Sequence, residues 1–142
     1  MVAEFENGGV RFKYPSNWGL ERDDSDSGWA VTIQSPETAF FLLSFRDDGN
    51  DPAELIETAL KTLREDYPDL EAEDCVDSLA GQPALGHNIQ FYSLDLTNTC
   101  WTRSLYCSGG TLLLLCQFND LEQEKYEPVM RAMCASLVTD SD

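Results

Sequence analysis

The stretch TCWTRSLYCSGGTLLLLCQFN, residues 99–119, sets two strand-like runs on either side of a glycine pair. Gly109 and Gly110 tolerate the positive φ that a two-residue hairpin turn demands, so the stretch reads as an antiparallel hairpin. A turn on those two residues pairs Cys107 with Leu112, Leu105 with Leu114, Arg103 with Cys116 and Trp101 with Phe118. Side chains alternate between faces along a strand, and the face these pairs share is apolar apart from Arg103. The opposite face carries Thr102, Ser104, Tyr106, Leu113, Leu115 and Gln117, which is half apolar. A hairpin that is apolar on both sides needs cover on both sides. The fold class that follows is α+β, an antiparallel sheet with a helix on each face.

Both helices are sought on either side of that hairpin. Upstream, NDPAELIETALKTLREDYP holds Asp51 as a cap, Pro52 at the first helical position and Glu54 to complete a capping box, which predicts a helix over 52–66. Leu55, Ile56, Ala59, Leu60 and Leu63 form its apolar stripe, and Pro68 ends it. Downstream, residues 120–137 begin at a capping Asp120 and contain Pro128. Proline inside a helix removes a hydrogen bond and clashes with the preceding turn. The reading is a short turn near 121–126 and then a helix near 128–136, with Val129, Met130, Met133 and Leu137 facing the core.

The remaining elements are strands. Alternation supports them over 70–79, 84–96, 29–35 and 39–45, and the Asn7-Gly8-Gly9 signal sets a hairpin between 3–6 and 10–14. The acidic run ERDDSDSG, residues 21–28, reads as a solvated loop. Phe12 to Trp18 forms a corner in which Pro15 stops the pairing and Trp18 folds back as an anchor.

A chain of 142 residues with 42% hydrophobic content fits one domain, 1–142, with a core over about 3–138. Its 26 acidic and nine basic residues give a net charge of −17, an anionic shell that repels phosphate backbones and anionic lipid headgroups. Nucleic acid and membrane are therefore not expected as partners, and a basic protein surface is. The longest apolar run, residues 111–116, is far below the ~20 residues of a bilayer span, and no signal peptide is read at the N-terminus. Five cysteines, an odd number, point to reduced thiols in a cytoplasmic setting.

Three stretches together carry a family likeness. GVRFKYPSNWGLE (9–21), LAGQPALG (79–86) and YEPVMRAMCASL (126–137) resemble, in order and spacing, the PsbP-like (Mog/PsbP) superfamily over roughly residues 9–138. The resemblance implies an antiparallel sheet sandwiched by helices. It also implies protein binding in place of a shared catalytic apparatus, since the family includes an extrinsic photosystem II subunit, a Ran-binding transport factor and bacterial chaperones of secreted effectors. The matching motifs are structural, so no site residue is carried across.

The residues offer little catalytic chemistry. Neither Gly-x-x-x-x-Gly-Lys-Ser/Thr nor Gly-x-Gly-x-x-Gly is present. His87 is the single histidine, which removes two-histidine zinc sites and reads as a polar edge residue at the start of a strand. Cys100 and Cys107 lie on opposite faces of one strand, no Cys-x-x-Cys occurs, and Cys107, Cys116 and Cys134 read as buried filler. Calcium-loop spacing from Asp24 or Asp47 fails at Gly28 and Ser35 and at Gly49 and Thr58. No catalytic, cofactor-binding or metal-ligating residue is expected, and no cofactor.

Arg103 stands out, because a guanidinium on an apolar face needs a carboxylate, for which Asp95 or a nearby glutamate is the expected partner. Trp18, Trp29 and Trp101 read as core. The expected function is a non-enzymatic protein-binding or adaptor, chaperone-like module. The alternative is a small-ligand or cation-binding carrier with a pocket between sheet and helix near Arg103 and Tyr92. Arg103, Tyr92 and Tyr106 are the candidate ligand or partner contacts. A hydrolase built on His87 and a cysteine is the least favoured reading.

Overall fold

A computed structural model describes residues 1–140 of the chain. Five strands open it: β1 (Val2–Asn7), β2 (Val10–Pro15), β3 (Gly19–Ser25), β4 (Gly28–Gln34) and β5 (Phe40–Arg46). Helix α1 (Pro52–Asp66) follows, then β6 (Glu71–Leu79), β7 (Gln82–Ser93), β8 (Leu96–Cys107), β9 (Gly110–Asn119), helix α2 (Gln123–Ala135) and the short β10 (Val138–Thr139). A seven-stranded antiparallel sheet has the order β3-β4-β5-β9-β8-β7-β6, and a second sheet has the order β1-β2-β10. The fold is α+β, with helices on both faces of the large sheet, as the hairpin of residues 99–119 requires.

Helix α1 starts as its sequence dictates. Glu54 N donates to Asp51 Oδ1 at 2.8 Å and Asp51 N donates to Glu54 Oε1 at 3.2 Å, the reciprocal bonds of a capping box. Leu60 packs with Leu70, Ile89, Phe91 and Cys100 on one face of the sheet. On the other face Val31, Ile33, Phe41, Leu43, Leu112 and Leu114 meet α2 through Met130 and Met133, and meet the small sheet through Phe5 and Phe12. Burying each of these large side chains contributes about 1.5–3 kcal/mol before the entropy of ordering them is subtracted. The corner at Pro15 closes this layer: Trp18 N donates to Pro15 O at 3.0 Å, and the Trp18 ring meets Tyr126 of α2 edge-on at 5.4 Å.

Several local readings are corrected. The 99–119 hairpin turns at Ser108-Gly109, so Cys107 pairs with Gly110, Leu105 with Leu112, Arg103 with Leu114 and Trp101 with Cys116. Gly109 alone of the pair takes a positive φ, at 82°. Gly110 belongs to β9, where an added Cβ would stand 2.8 Å from the Phe45 ring. Pairing moves by two residues, which preserves the faces. Residues 19–25 form a strand, which overturns most of the solvated loop expected over 21–28. Every residue of β3 is exposed, and its ladder with β4 holds it despite its composition. The opposite edge strand, β6, is also acidic, with Glu71, Glu73, Asp74 and Asp77. Charges on both edges oppose edge-to-edge pairing with another sheet.

Helix α2 runs unbroken through Pro128, and its N-cap is Glu122, not Asp120. The start is fixed upstream of the proline. Glu122 is buried, its carboxylate accepts from Thr38 N at 2.8 Å and Thr38 Oγ1 at 2.6 Å, and Asn119 Oδ1 accepts from Leu121 N and Glu122 N at 3.0 Å each. Tyr126 N then donates to Glu122 O at 2.8 Å, which sets the first turn. Met130, Met133 and Leu137 are buried as expected, Val129 is half-buried, and Tyr126 joins them.

Candidate functional site

Helix α2 lies over β9 and leaves the same face of β6, β7 and β8 uncovered along its flank. A cavity of about 360 Å³ forms there, with Asn88, Trp101 and Arg103 from the sheet and Arg131 and Cys134 from the helix among its walls. A second hollow of about 410 Å³, bordered by Glu71, Glu73 and Glu127, shares Asn88, Trp101 and Arg131 with it. The two form one groove, open to solvent and rimmed by carboxylates. Their sizes fall within the 300–1,000 Å³ typical of ligand sites.

Arg103 is 7% exposed. Its Nε donates to Asp77 Oδ2 at 2.7 Å, Nη1 donates to the Thr102 and His87 carbonyls at 2.7 and 3.1 Å, and Nη2 donates to Asn88 Oδ1 at 2.7 Å. Asp77 replaces Asp95 as the partner; Asp95 sits in the β7–β8 turn with φ 63°. Gly86 makes the reach feasible. It pairs with Arg103 across β7 and β8, and a Cβ there would stand 2.9 Å from Arg103 Cδ as well as striking the Thr102 carbonyl. With that space empty, the guanidinium crosses β7 to the edge strand.

Arg131 forms the opposite wall. Its guanidinium carbon lies 4.7 Å from the Trp101 ring centroid, and Nη2 is 3.0 Å from Glu127 Oε2. Hydrogen bonds from Gln123 and then from Arg131 hold the Glu127 carboxyl below its ordinary range. Cys134, half-buried on the same wall, has its sulfur 3.8 Å from that of the buried Cys116. The Cys116 thiol, together with Arg103 and Arg131, pulls the Cys134 thiol below its ordinary value against its own burial. Burial pushes Cys100 to about 12 and Cys107 to about 11.

The other candidate contacts are placed apart from this groove. Tyr92 is 78% exposed near the end of β7, on the same side as Arg103 but six residues beyond Gly86, roughly 20 Å along the strand. Tyr106, 59% exposed, points to the α1 side of β8. His87 is a correction: it is 3% exposed in the middle of β7, beneath α1, and not at an edge. Its Nε2 lies 3.0 Å from Asp74 Oδ1 and 3.7 Å from Glu57 Oε1. Among the described residues no group of three or more His, Cys, Asp or Glu is arranged to hold a metal ion. No described helix is long and apolar enough to cross a membrane.

Sequence reasoning missed Asp77, Asn88, Trp101 and Arg131 as neighbours of Arg103. Their register was the absent information. The one local signal was Gly86, a glycine in a strand interior, which marks a place where another group approaches closely.

A second cavity, of about 490 Å³, lies on the opposite face between α1 and the sheet, with Leu42, Leu55, Ala59, Leu63, Leu113 and Leu115 in its lining.

No protein-family model and no curated protein sequence matches the chain. Solved structures do. PA94 of Pseudomonas aeruginosa, a protein of unknown function, superposes with a TM-score of 0.59 at 13% identity over 99% of both chains. LpqN of Mycobacterium tuberculosis, involved in cell envelope biogenesis, gives 0.61 at 15% identity over 99% of this chain and 91% of its own. Cyanobacterial PsbP from Synechocystis sp. PCC 6803 gives 0.62 at 10% identity over 98% and 92%. The chain has the PsbP-like fold.

Proposed function

We propose that the protein is a non-enzymatic binding module that docks a basic segment of a protein partner in the groove between α2 and strands β6–β8. The observation that carries this reading is the charge of the groove's border. Glu71, Glu73, Asp77 and Glu127 rim an uncovered sheet face on a chain of net charge −17, while Trp101 offers an aromatic surface at the centre. Acidic rims speed the encounter with a lysine- or arginine-bearing segment and select against acidic ones, and a central aromatic supplies contact area. Adaptor or chaperone-like work in a cytoplasmic setting, with reduced thiols, is consistent with such a surface.

The test is affinity capture on the immobilised chain beside a Glu71→Lys/Glu73→Lys variant. The same partner should elute from the native protein on raising salt and be absent from the variant. Equal capture by both sinks the reading.

A second reading, a small-ligand carrier, is favoured by the apolar cavity beneath α1. Native mass spectrometry of the purified chain should then show an apolar molecule bound, lost on Ala59→Trp. A ligand-free mass under gentle conditions removes this reading.

A further inference from the structure

The groove's helical wall carries one sulfur, and the strand behind it a second, that partner docking does not use. Cys134 faces the 360 Å³ cavity, and directly behind it Cys116 is 0% exposed on β9, with the two sulfurs 3.8 Å apart. The same cavity is lined by the guanidinium groups of Arg103 and Arg131. A partly exposed thiol with a second thiol directly behind it is the arrangement that two-step thiol oxidation uses, and the two guanidinium groups favour its thiolate while Asp77 and burial oppose it.

We propose that Cys134 and Cys116 form an oxidisable dithiol, with Cys134 attacking a small hydroperoxide that enters the groove and Cys116 resolving the product as an intramolecular disulfide.

The chemistry balances with the hydroperoxide as the only oxidant. Cys134 gives its proton to solvent, and its thiolate sulfur attacks the terminal peroxide oxygen. The O–O bond breaks, the sulfur becomes a sulfenic acid, and the released alkoxide or hydroxide takes up a proton as alcohol or water. Cys116 then loses its proton and attacks the Cys134 sulfur. The S–O bond breaks, and hydroxide leaves with that proton as water. Two thiols have given two electrons to one peroxide.

Three features assign the order of attack. Cys116 is sealed from solvent and its sulfur lies 3.8 Å from that of Cys134, so a Cys116 thiol is placed to donate to a Cys134 thiolate and then to attack it once oxidised. Arg131 is three residues from Cys134 on α2, and its guanidinium is fixed by the Trp101 face and Glu127. Closing the bond needs the sulfurs to come from 3.8 Å to about 2.05 Å, so disulfide formation draws α2 and β9 together at this point. Cys75 lines the same cavity but sits on edge strand β6 with its thiol raised by burial, which makes it the built-in competitor.

The experiment uses the full chain, reduced, exposed to stoichiometric hydrogen peroxide and then alkylated, digested and mapped. The expected product has lost two hydrogens and links the Cys116 and Cys134 peptides. Cys116→Ser should instead accumulate a sulfenic acid at Cys134 that dimedone labels. Arg131→Gln should slow the oxidation, since it removes one of the cations that favour the Cys134 thiolate. Circular dichroism and the thermal midpoint of each variant report whether it folds, and the mapping of the unsubstituted chain stands without them. A link through Cys75, dimedone labelling elsewhere in Cys116→Ser, or no loss of thiol when a free small thiol is fully consumed each overturns the proposal.

Discussion

Arg103 Nε meets Asp77 Oδ2 at 2.7 Å across the strand that separates them, because Gly86 leaves no side chain between β8 and β6. Removing Asp77 leaves a guanidinium with an 8% exposed side chain without the one carboxylate that pairs with it among the described residues. Such a loss destabilises strongly when both partners are buried; with Asp77 half in solvent, Asp77→Ala should cost about 2 kcal/mol. Combined with Arg103→Met, the loss should be smaller than the sum of the single losses, since the uncompensated charge is gone. Urea unfolding of the four species measures this, and strict additivity would show that the pair is not coupled.

Gly86→Ala tests the passage itself. The new methyl would strike the Thr102 carbonyl and stand 2.9 Å from Arg103 Cδ. Backbone in a central ladder cannot yield as a flexible side chain can, so a loss above about 3 kcal/mol is expected. A loss below 1 kcal/mol, roughly that of an ordinary surface change, would contradict the geometry.

Pro128 offers the opposite sign. It lies exposed inside α2, where it denies the helix one hydrogen bond. Pro128→Ala should raise stability by about 1 kcal/mol or more, read as a higher thermal midpoint. An unchanged or lowered midpoint would mean that the proline's rigidity matters more than the missing bond.

Acid should weaken one specific tie. Lys125 Nζ at 2.8 Å and then Tyr126 Oη at 2.9 Å hold the Glu37 carboxyl below its ordinary value of 4.5. A depressed folded pKa means stability that is present above the unfolded value near 4.5 and lost as pH falls through the folded one. Glu37→Gln should therefore lie below the native chain at neutral pH and converge with it under acid. Added salt should raise the midpoint of both near neutrality, because it screens the self-repulsion of a chain of net charge −17.

Much of this fold is legible residue by residue. Asp51, Pro52 and Glu54 state a helix start so locally that α1 falls on the predicted bounds. The alternation around residues 99–119 gives both covered faces. What local pattern cannot show is what long-range bonds decide. Thr38 and Asn119 anchor Glu122 and carry α2 past Pro128; the β4 ladder turns an acidic run into β3; Phe45 and Arg46 claim Gly110 for β9. The site is less legible still. Arg103 declares itself as a charge on an apolar face, but Asp77, Asn88 and Arg131 come to it from three separate elements. His87 reads as polar and peripheral because nothing beside it in sequence announces that α1 will cover it.

The groove is best interrogated by amide NMR shift mapping with a short lysine-rich peptide at low salt. Docking between α2 and β6–β8 gives saturable shifts centred on Glu73, Asn88, Trp101 and Arg131, which fade as salt is added and are absent with a glutamate-rich peptide. Unsaturable shifts spread over the acidic surface, or a saturable set on the α1 side, would contradict it.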